Sequence, residues 1–377
     1  MTGSRPRRGS TRSRSLSFRS WPALDQAAWQ AALHPGDVLD PGGIASRWSH
    51  ATRRKTALGY GHFLSWLQDV GRLDPGSEPG ARVTRTEVSA YLPELRQTMR
   101  GHTVQCRIQE LGDAMRALAP DRDWGWILRA AGRLRADTIP AIDKAARLRP
   151  IQEVIAEAFR LMDRAENAGT GTALDRAILF RDGLMIVFLG FHPMRLRNFA
   201  ALRIGTHLVQ QGEGFLICVD AQETKTHQAY EGPLTGALSQ VMRRYLEHHR
   251  LVLLTADGRR PAPALDALWV SSSGTALNRV TIDARIRKQT GGAGQLPLSP
   301  HLFRSCAATS LAVHAPDAVD IIPALLGHGS PRIGERYYNL ARSLEAARAY
   351  QGTLDELRRE FAEAESSDQV VTERWAG

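Results

Sequence analysis

Apolar residues recur at helical spacing from about residue 22 to residue 138 and at mixed spacing beyond residue 150. The segment at about 50–68 places apolar side chains at i, i+3, i+4 and i+7, which is typical of an amphipathic helix. Those positions are Tyr60, Phe63, Leu64 and Leu67. Similar patterns begin near Val88, Val104 and Trp124. Residues about 22–138 are therefore predicted to form an all-helical module.

The helix around Val88 carries its own start signal. Thr84 followed by Glu87 has the spacing of a capping box, in which each side chain satisfies a backbone N–H of the other residue. Pro93 falls inside the same helical pattern. Because proline lacks a backbone N–H, a kink or break is predicted there.

The second half of the chain mixes helical and strand-like segments. Phe215–Val219 and Tyr230–Leu234 are predicted strands, and the polar Glu223–His227 between them is predicted to form a hairpin turn. Helices are predicted at about 151–166, 173–191, 236–253, 279–289, 299–313 and 319–326. The predicted fold class is therefore mainly α with a small β-sheet (α+β).

Charge is concentrated at the N-terminus and points to a polyanionic partner. The net charge is +10, and residues 1–20 hold six arginines, six serines and no acidic residue. This tail is predicted to be disordered, and is either a loose phosphate-binding arm or a solubilising start. The three cysteines have no metal or redox spacing, and no apolar run is long enough to cross a bilayer. These features favour the reducing cytoplasm and no membrane partner.

Basic clusters inside the predicted folded regions are the candidate DNA-contacting positions. One cluster opens the first predicted helix, and the other lies in a stretch that ends in a proline and suits an interdomain linker. The residues are Arg53, Arg54, Lys55, Lys144, Arg147 and Arg149. Lysine and arginine neutralise phosphates and release counterions, so these clusters favour a nucleic-acid partner.

Four short segments carry residues suited to phosphoryl transfer, and their candidate residues are Arg195, Lys225, His301, Arg304, His328 and Tyr337. Two fixed guanidinium groups can grip an oxyanion through bidentate bonds without a metal. Lysine and histidine can move protons, and tyrosine can be a covalent nucleophile. The set is complete for phosphoryl transfer through a phosphotyrosine with no cofactor.

The order and spacing of these residues resemble the tyrosine recombinases of the phage-integrase type. That family reads Arg, Lys, His-x-x-Arg, His or Trp, then Tyr, and here the Leu-Leu-Gly-His328 box precedes Tyr337 by the family's nine residues. Asn198 stands where the family usually has an acid that orients its neighbours. The adjacent Tyr338 points about 100° away from Tyr337 on a helix, so only one of the two can face the site.

The resemblance implies an N-terminal helical core-binding domain plus a C-terminal integrase-type catalytic domain. The expected divisions are a disordered basic tail at 1–21, a core-binding domain at 22–140, a basic linker at 141–150, a catalytic domain at 151–345, and a C-terminal helix and tail at 346–377. It further implies double-stranded DNA as the partner, a homotetramer on DNA, and action alone or with related recombinases. No cofactor and no metal are implied.

The implied reaction is site-specific recombination through a 3′-phosphotyrosyl intermediate. Tyr337 would attack the scissile phosphate, Arg195 and Arg304 would hold its oxygens, and Lys225 would protonate the leaving 5′-oxygen. His301 would accept the tyrosine proton and His328 would bond the phosphate. Two alternatives stay open, namely a type IB topoisomerase-like nicking and resealing enzyme and a catalytically silent DNA-binding accessory protein on the same fold.

Overall fold

The computed structural model describes residues 15–138, 145–167, 171–234, 236–258, 265–292 and 294–327, together with 339, 350–352 and 354. The chain forms two compact units, Met1–Asp143 and Lys144–Gly377. The prediction of a mainly helical α+β chain with a small sheet is confirmed. Among the described helices, none combines the length and apolar character that a bilayer span requires.

The described part of the first unit is all-helical. Its α-helices are α1 (Ala23–Leu33), α2 (His50–Asp69), α3 (Pro79–Arg82), α4 (Arg85–Thr98), α5 (Gly101–Leu118) and α6 (Gly125–Ala136), with 3-10 turns at Phe18–Ser20 and Ile44–Arg47. Helix α4 continues through Pro93 to Thr98, so the predicted interruption does not end the helix. Glu87 N–H donates to the Thr84 hydroxyl, but the Glu87 carboxylate pairs with Arg72, so only half of the predicted capping box forms.

Aromatic side chains and one buried ion pair hold the first unit together. Trp21 packs edge-on against Tyr60 at a ring-centroid distance of 5.0 Å. The fully buried Asp25 accepts hydrogen bonds from the Tyr60 hydroxyl and the Arg82 guanidinium. A buried carboxylate requires such partners, because nothing else compensates its lost hydration. Burial and the neighbouring Asp25 raise the pKa of Tyr60, so this phenol stays protonated.

The second unit combines eight α-helices with one sheet within its described residues. They are α7 (Ile151–Asn167), α8 (Ala173–Phe191), α9 (Leu196–Ala200), α10 (Gly236–Arg244), α11 (Arg250–Thr255), α12 (Arg279–Thr290), α13 (Pro300–His314) and α14 (Ile322–Leu325). The strands are β1 (Leu208–Gln211), β2 (Gly214–Val219) and β3 (Tyr230–Leu234). Shorter helical turns lie at Ala145–Arg147, Ala221–Glu223, Tyr245–His249, Ala256–Gly258 and Pro316–Ile321.

The sheet is antiparallel in the order β1-β2-β3. Gln211 pairs with Gly214 at the first hairpin, where Gly212 takes a φ of 55°, and Val219 pairs with Tyr230 at the end of the second ladder. Strand β1 was not predicted, because its sequence Leu-Val-Gln-Gln is short and has one buried position. The connection from β2 to β3 brings Lys225 to one end of this sheet.

Helix α8 forms the centre of the second unit. It begins with a complete capping box between Thr172 and Asp175, and its residues from Phe180 to Gly190 are buried on all sides. Two charged residues lie in this buried stretch, Arg181 and Asp182, and Asp182 accepts hydrogen bonds from Arg181, Arg285 and Gln289. The helix predicted at 173–191 therefore matches α8 and fixes the position of the residues that follow it.

Two predicted helices differ from the structure. The helix predicted at 236–253 is interrupted by a π-helical turn at Tyr245–His249, where the Tyr245 hydroxyl donates to the Leu268 carbonyl at 2.9 Å. The helix predicted at 319–326 is instead a 3-10 turn followed by the four-residue α14. Pro316 and Pro323 fall in this stretch and leave little room for a longer regular helix.

Candidate active site

Arg195 is the N-cap residue of α9, and buried aromatic contacts anchor this short helix. Phe199 is fully buried against Phe188 and Trp269, and the Trp269 indole N–H donates to the Phe199 carbonyl at 3.0 Å. The Arg195 guanidinium is partly exposed and donates from Nη2 to the Gly327 carbonyl at 3.3 Å. The aromatic anchor therefore holds Arg195 against the chain segment that ends α14.

Arg304 approaches the same segment from α13. It is 5% exposed, and its Nη1 donates to the Pro193 carbonyl at 2.6 Å while Nη2 donates to the Leu326 carbonyl. Pro193 precedes Arg195 by two residues, and Leu326 and Gly327 are consecutive. The two arginines that are 109 positions apart in sequence thus meet at two neighbouring backbone carbonyls.

Lys225 lies in the turn between β2 and β3, and its side chain is exposed. The Thr224 hydroxyl accepts from Gln228 N–H at 3.1 Å and so closes the turn. The Thr226 hydroxyl donates to the Gly327 carbonyl at 3.0 Å. The carbonyl that accepts from Arg195 therefore also accepts from a neighbour of Lys225, which brings this turn to the arginine pair.

His207 and Glu223 fix the base of the same turn. The Nδ1 atom of the buried His207 accepts from Arg203 N–H at 3.1 Å, so its Nε2 carries the proton. This Nε2 lies 3.0 Å from the Glu223 carboxylate and donates to it. Glu223 precedes Lys225 by two residues, so this contact ties the lysine turn to the loop that follows α9. The sequence pattern gave no signal for this pair.

A cavity of about 230 Å³ lies where these elements meet. Both arginines, the Lys225 turn and the end of α14 contribute to its walls. The lining residues are Met194, Arg195, Asn198, Val219, Thr224, Thr226, Gln228, Ala229, Tyr230, Arg304, Ala324, Leu325, Leu326 and Gly327. A concave, positively charged pocket of this kind suits an anionic group. Asn198, which stands where the resembling family has an acid, is one of its walls.

The remaining candidate catalytic residues are placed differently. His301 is exposed in the first turn of α13, three positions before Arg304. His328 and Tyr337 lie outside the described residues, as does Tyr338. Gly327, which lines the cavity, is the residue immediately before His328 in the sequence.

The basic residues predicted in the first unit have distinct surroundings. The Arg53 guanidinium donates to the backbone carbonyls of Ala45 and Ser46, and Lys55 lies 3.5 Å from the Glu110 carboxylate. Arg54, between them, is exposed. Of this cluster, Arg54 presents its charge to solvent, whereas the charge of Lys55 is partly compensated and Arg53 braces the turn before α2.

The basic residues predicted for the linker also differ. Lys144 lies outside the described residues. Arg147 is partly exposed in a 3-10 turn. Arg149 donates from Nη2 to the Glu157 carboxylate at 2.6 Å and from Nη1 to the Thr290 carbonyl, and its backbone N–H donates to Cys306. Arg149 therefore anchors the start of the second unit onto α7, α12 and α13.

His192 and Tyr230 form a hydrogen-bonded pair beside the arginines that sequence reasoning missed. His192 Nδ1 lies 2.8 Å from the Tyr230 hydroxyl, and Tyr230 lines the cavity. The two residues are 38 positions apart, so no local pattern joins them. The signal available in the sequence was a histidine three residues before Arg195 and an aromatic residue at the start of a predicted strand.

The cysteines and histidines do not gather into a metal site in the part of the chain that the structure describes. Cys106, Cys218 and Cys306 are free thiols. Burial raises the pKa of the Cys306 thiol, which therefore stays protonated at neutral pH and packs as an apolar group.

Comparisons with known proteins agree with this geometry. The family model described as Phage integrase family matches residues 156–343, a range that contains all six candidate catalytic residues. The curated tyrosine recombinase XerD of Ralstonia nicotianae is 29% identical over 170 residues, which are 45% of this chain and 51% of that protein. The chain thus spans about half the length of this curated relative. We conclude that residues 156–343 of this chain belong to the phage integrase family of tyrosine recombinases.

Solved structures share the fold at low sequence identity. The integrase of transposon Tn1549, in complex with transposon right end DNA, superimposes with a TM-score of 0.54 at 17% identity and covers 88% of this chain and 99% of that one. The site-specific recombinase XerH, bound to its difH substrate in a pre-cleavage complex, gives a TM-score of 0.52 at 16% identity and covers 79% of each chain. At such identities the likeness establishes the fold.

Proposed function

We propose that this protein is a site-specific DNA recombinase that cuts and rejoins strands through a 3′-phosphotyrosyl intermediate on Tyr337. The observation that carries the proposal is the convergence of Arg195 and Arg304 on one cavity, beside the Lys225 turn. His328 and Tyr337 are included because their order and spacing in the sequence resemble those of the family.

The arginine pair suits the transition state of phosphodiester cleavage. A pentacoordinate phosphorane gains negative charge on its non-bridging oxygens, and fixed guanidinium groups stabilise that charge without reorganisation. Arg304 is held on both sides by backbone carbonyls, so its orientation is set before substrate arrives. Arg195 is partly exposed at the cavity wall, where a phosphate can reach it.

The proposed reaction conserves the phosphodiester energy. The Tyr337 oxygen attacks the scissile phosphorus, the bond to the 5′-oxygen breaks, and Lys225 gives that oxygen its proton. His301 accepts the tyrosine proton, and His328 donates to a non-bridging oxygen. The 5′-hydroxyl of another strand then attacks the phosphotyrosine and releases Tyr337, so no nucleotide cofactor is consumed.

The test begins with selection of a binding site from a pool of random DNA duplexes. The selected site is then built into a nicked duplex, from which a short strand diffuses away after cleavage and traps the covalent adduct. We expect the wild-type protein to form a denaturation-resistant adduct. Tyr337→Phe should abolish the adduct and keep DNA affinity, whereas the matched control Tyr338→Phe should retain both.

Other outcomes would indicate a different nucleophile or a different function. An adduct formed by Tyr337→Phe but not by Tyr338→Phe would move the nucleophile to Tyr338. Relaxation of supercoils without strand exchange between two duplexes would indicate a type IB topoisomerase-like enzyme. Specific binding without any adduct would indicate a catalytically silent accessory protein.

We further propose that exposed arginines on both units contact the DNA backbone. Arg54 is exposed, Arg147 is partly exposed, and each can neutralise a phosphate. Replacing either with alanine should weaken binding about uniformly across sequences and reduce the slope of log K against log salt by about one unit. A variant with an unchanged salt slope would remove that residue from the DNA interface.

The number of protein copies that assemble on DNA is also a proposal. We infer a homotetramer on two DNA sites, with the segment after residue 345 reaching a neighbouring copy, because Leu354, Leu357 and Phe361 recur at i, i+3 and i+7 among charged residues. A chain truncated after residue 345 should cleave one site and fail to bridge two in a light-scattering measurement. Bridging by the truncated chain would refute this role. The same proposal places the protein in the cytoplasm with its DNA.

A further inference from the structure

The pair formed by His192 and Tyr230 is built into the wall of the arginine cavity. His192 follows α8 and is 6% exposed, with its ring against Phe188 at a centroid distance of 5.2 Å. Its Nδ1 lies 2.8 Å from the Tyr230 hydroxyl. Tyr230 lines the same cavity as Arg195 and Arg304. A tyrosine whose hydroxyl has a buried partner therefore lines the proposed phosphate-binding cavity.

The backbone of β3 leaves room for this pair at Gly232. A Cβ atom at position 232 would lie 3.0 Å from both Cε1 and Nδ1 of His192, and 3.2 Å from the Tyr230 hydroxyl. These distances are tighter than ordinary carbon contacts, so a side chain there would push the imidazole or the phenol out of place. The close approach of histidine, tyrosine and main chain thus depends on a glycine.

Both members of the pair are neutral at physiological pH. Burial lowers the pKa of His192 to about 4. Burial also raises the pKa of Tyr230 to about 12, although the Arg304 charge opposes that rise. A neutral imidazole has one N–H, and the phenol has one O–H, so their hydrogen bond can run in either direction.

The direction of this bond decides what the phenol can do. If Tyr230 donates to Nδ1, its only proton points away from the cavity. If Nδ1–H donates to the Tyr230 oxygen, the phenol proton is available to an acceptor in the cavity. Negative charge held by Arg195 and Arg304 favours the second arrangement, because each hydrogen bond in such a chain polarises the next.

We propose that Tyr230 is a further catalytic residue, which donates a hydrogen bond to a non-bridging oxygen of the phosphate held by Arg195 and Arg304. His192 is its positioning residue, and donates from Nδ1 to the Tyr230 oxygen. Tyr230 keeps its proton throughout, so it stabilises charge and is not an acid. This inference rests on the proposed function, since it requires a phosphate in the cavity.

The experiment measures the rate of adduct formation on the nicked duplex described above, made with either an ordinary 5′-oxygen or a 5′-bridging sulfur at the scissile bond. A thiolate leaves without a proton, so sulfur restores the activity of variants that lack the proton donor, such as Lys225→Ala. Loss of a hydrogen bond to a non-bridging oxygen is not restored. The two substrates therefore separate the phosphate-binding role from the leaving-group role.

We expect Tyr230→Phe to lower the adduct rate by about 10- to 100-fold on both substrates, with DNA affinity within about twofold of wild type. His192→Leu should lower the rate similarly, because it removes the N–H that orients the phenol. His192→Asn places an amide N–H near the position of Nδ1 and should restore most of the rate. Tyr245→Phe is the matched control, since its buried hydroxyl donates to the Leu268 carbonyl away from the cavity.

The outcomes separate this inference from the proposed function. If the wild-type protein forms no adduct on either substrate, the proposed function fails. If the wild type is active and Tyr230→Phe keeps its rate within about twofold, the inference alone is refuted. Rescue of Tyr230→Phe by the sulfur substrate would also overturn it, because the phenol would then act through the leaving group.

A second measurement is made on the wild-type protein. Imidazole 15N shifts of the wild-type protein distinguish protonated from unprotonated Nδ1, with the His192→Asn spectrum as the reference for assignment. The inference expects a protonated Nδ1 at His192 at pH 7.5. An unprotonated Nδ1 would refute it, because the phenol proton would then be committed to the histidine.

Discussion

The buried imidazole of His192 makes the stability of the second unit fall in acid, and the size of the effect follows from its surroundings. Burial lowers the pKa of His192 from 6.5 to about 4, and the groups that face the ring are the neutral Tyr230 and, beyond it, the Arg304 cation. As pH falls below 6.5, the unfolded chain binds a proton that the folded chain does not. The stability is therefore complete above pH 6.5, is lost progressively below it, and stops falling below about pH 4.

A pH of 5.0 lies about 1.5 units below the pKa of His192 in the unfolded chain. The same pH lies about 1 unit above the pKa of His192 in the folded chain. At about 1.36 kcal/mol per unit, the expected loss between pH 7.5 and pH 5.0 is about 2 kcal/mol, or roughly a 30-fold change in the opening equilibrium. The matched variant is His192→Asn, which keeps an N–H near the Nδ1 position and does not titrate in this range.

Hydrogen exchange of peptides from Ala173–Phe191 measures the opening of the helix that precedes His192. At each pH, the wild type and His192→Asn are compared in the same buffer, so the intrinsic chemical exchange rate cancels. The wild type should lose about 30-fold in protection relative to the variant between pH 7.5 and pH 5.0. A ratio that stays constant across this range would refute the buried, neutral assignment of His192.

Three further perturbations test other contacts. Glu223→Ala removes the contact with His207 and should loosen the Lys225 turn, which slows adduct formation on the oxygen substrate by about tenfold. The 5′-bridging sulfur should restore most of that rate, and an equal loss on both substrates would contradict the role of Glu223 in placing Lys225. Asp182→Ala leaves the buried Arg181 and the partly exposed Arg285 without their carboxylate and should cost about 3–5 kcal/mol of unfolding free energy in urea denaturation, and a cost below about 1 kcal/mol would contradict the network. Arg53→Ala should lower the melting temperature of the chain while Arg54→Ala leaves it unchanged, and identical melting curves would refute their different roles.

Elements with a clear local sequence pattern were predicted, whereas elements held by tertiary contacts were not. Helix α8 was predicted at its observed bounds, because a long apolar run that follows a helix cap is typical of a buried helix. Helix α9 was missed because its five residues are held by Phe199 and Trp269, and such a tertiary anchor has no local periodicity. The π turn at Tyr245–His249 inserts into a pattern that otherwise looks continuous.

The candidate site divides in a similar way. Arg195 and Arg304 were predicted from their spacing relative to other family-type residues, and the structure brings them to adjacent carbonyls. The pairs His207–Glu223 and His192–Tyr230 could not be predicted. The two members of each pair lie in separate segments of the sequence, so no local pattern joins them. Such contacts are set by the tertiary placement of these segments, which local sequence patterns do not encode.

The contacts that Arg195, Thr226 and Arg304 make with Leu326 and Gly327 all end on main-chain carbonyls. A carbonyl is present whatever side chain a residue carries, so substitution at position 326 leaves its hydrogen bond to Arg304 in place. Position 327 is limited for another reason: its φ of 53° favours glycine. The two positions are therefore constrained for reasons unrelated to the hydrogen bonds they accept: Leu326 by the burial of its side chain, and Gly327 by its backbone angle.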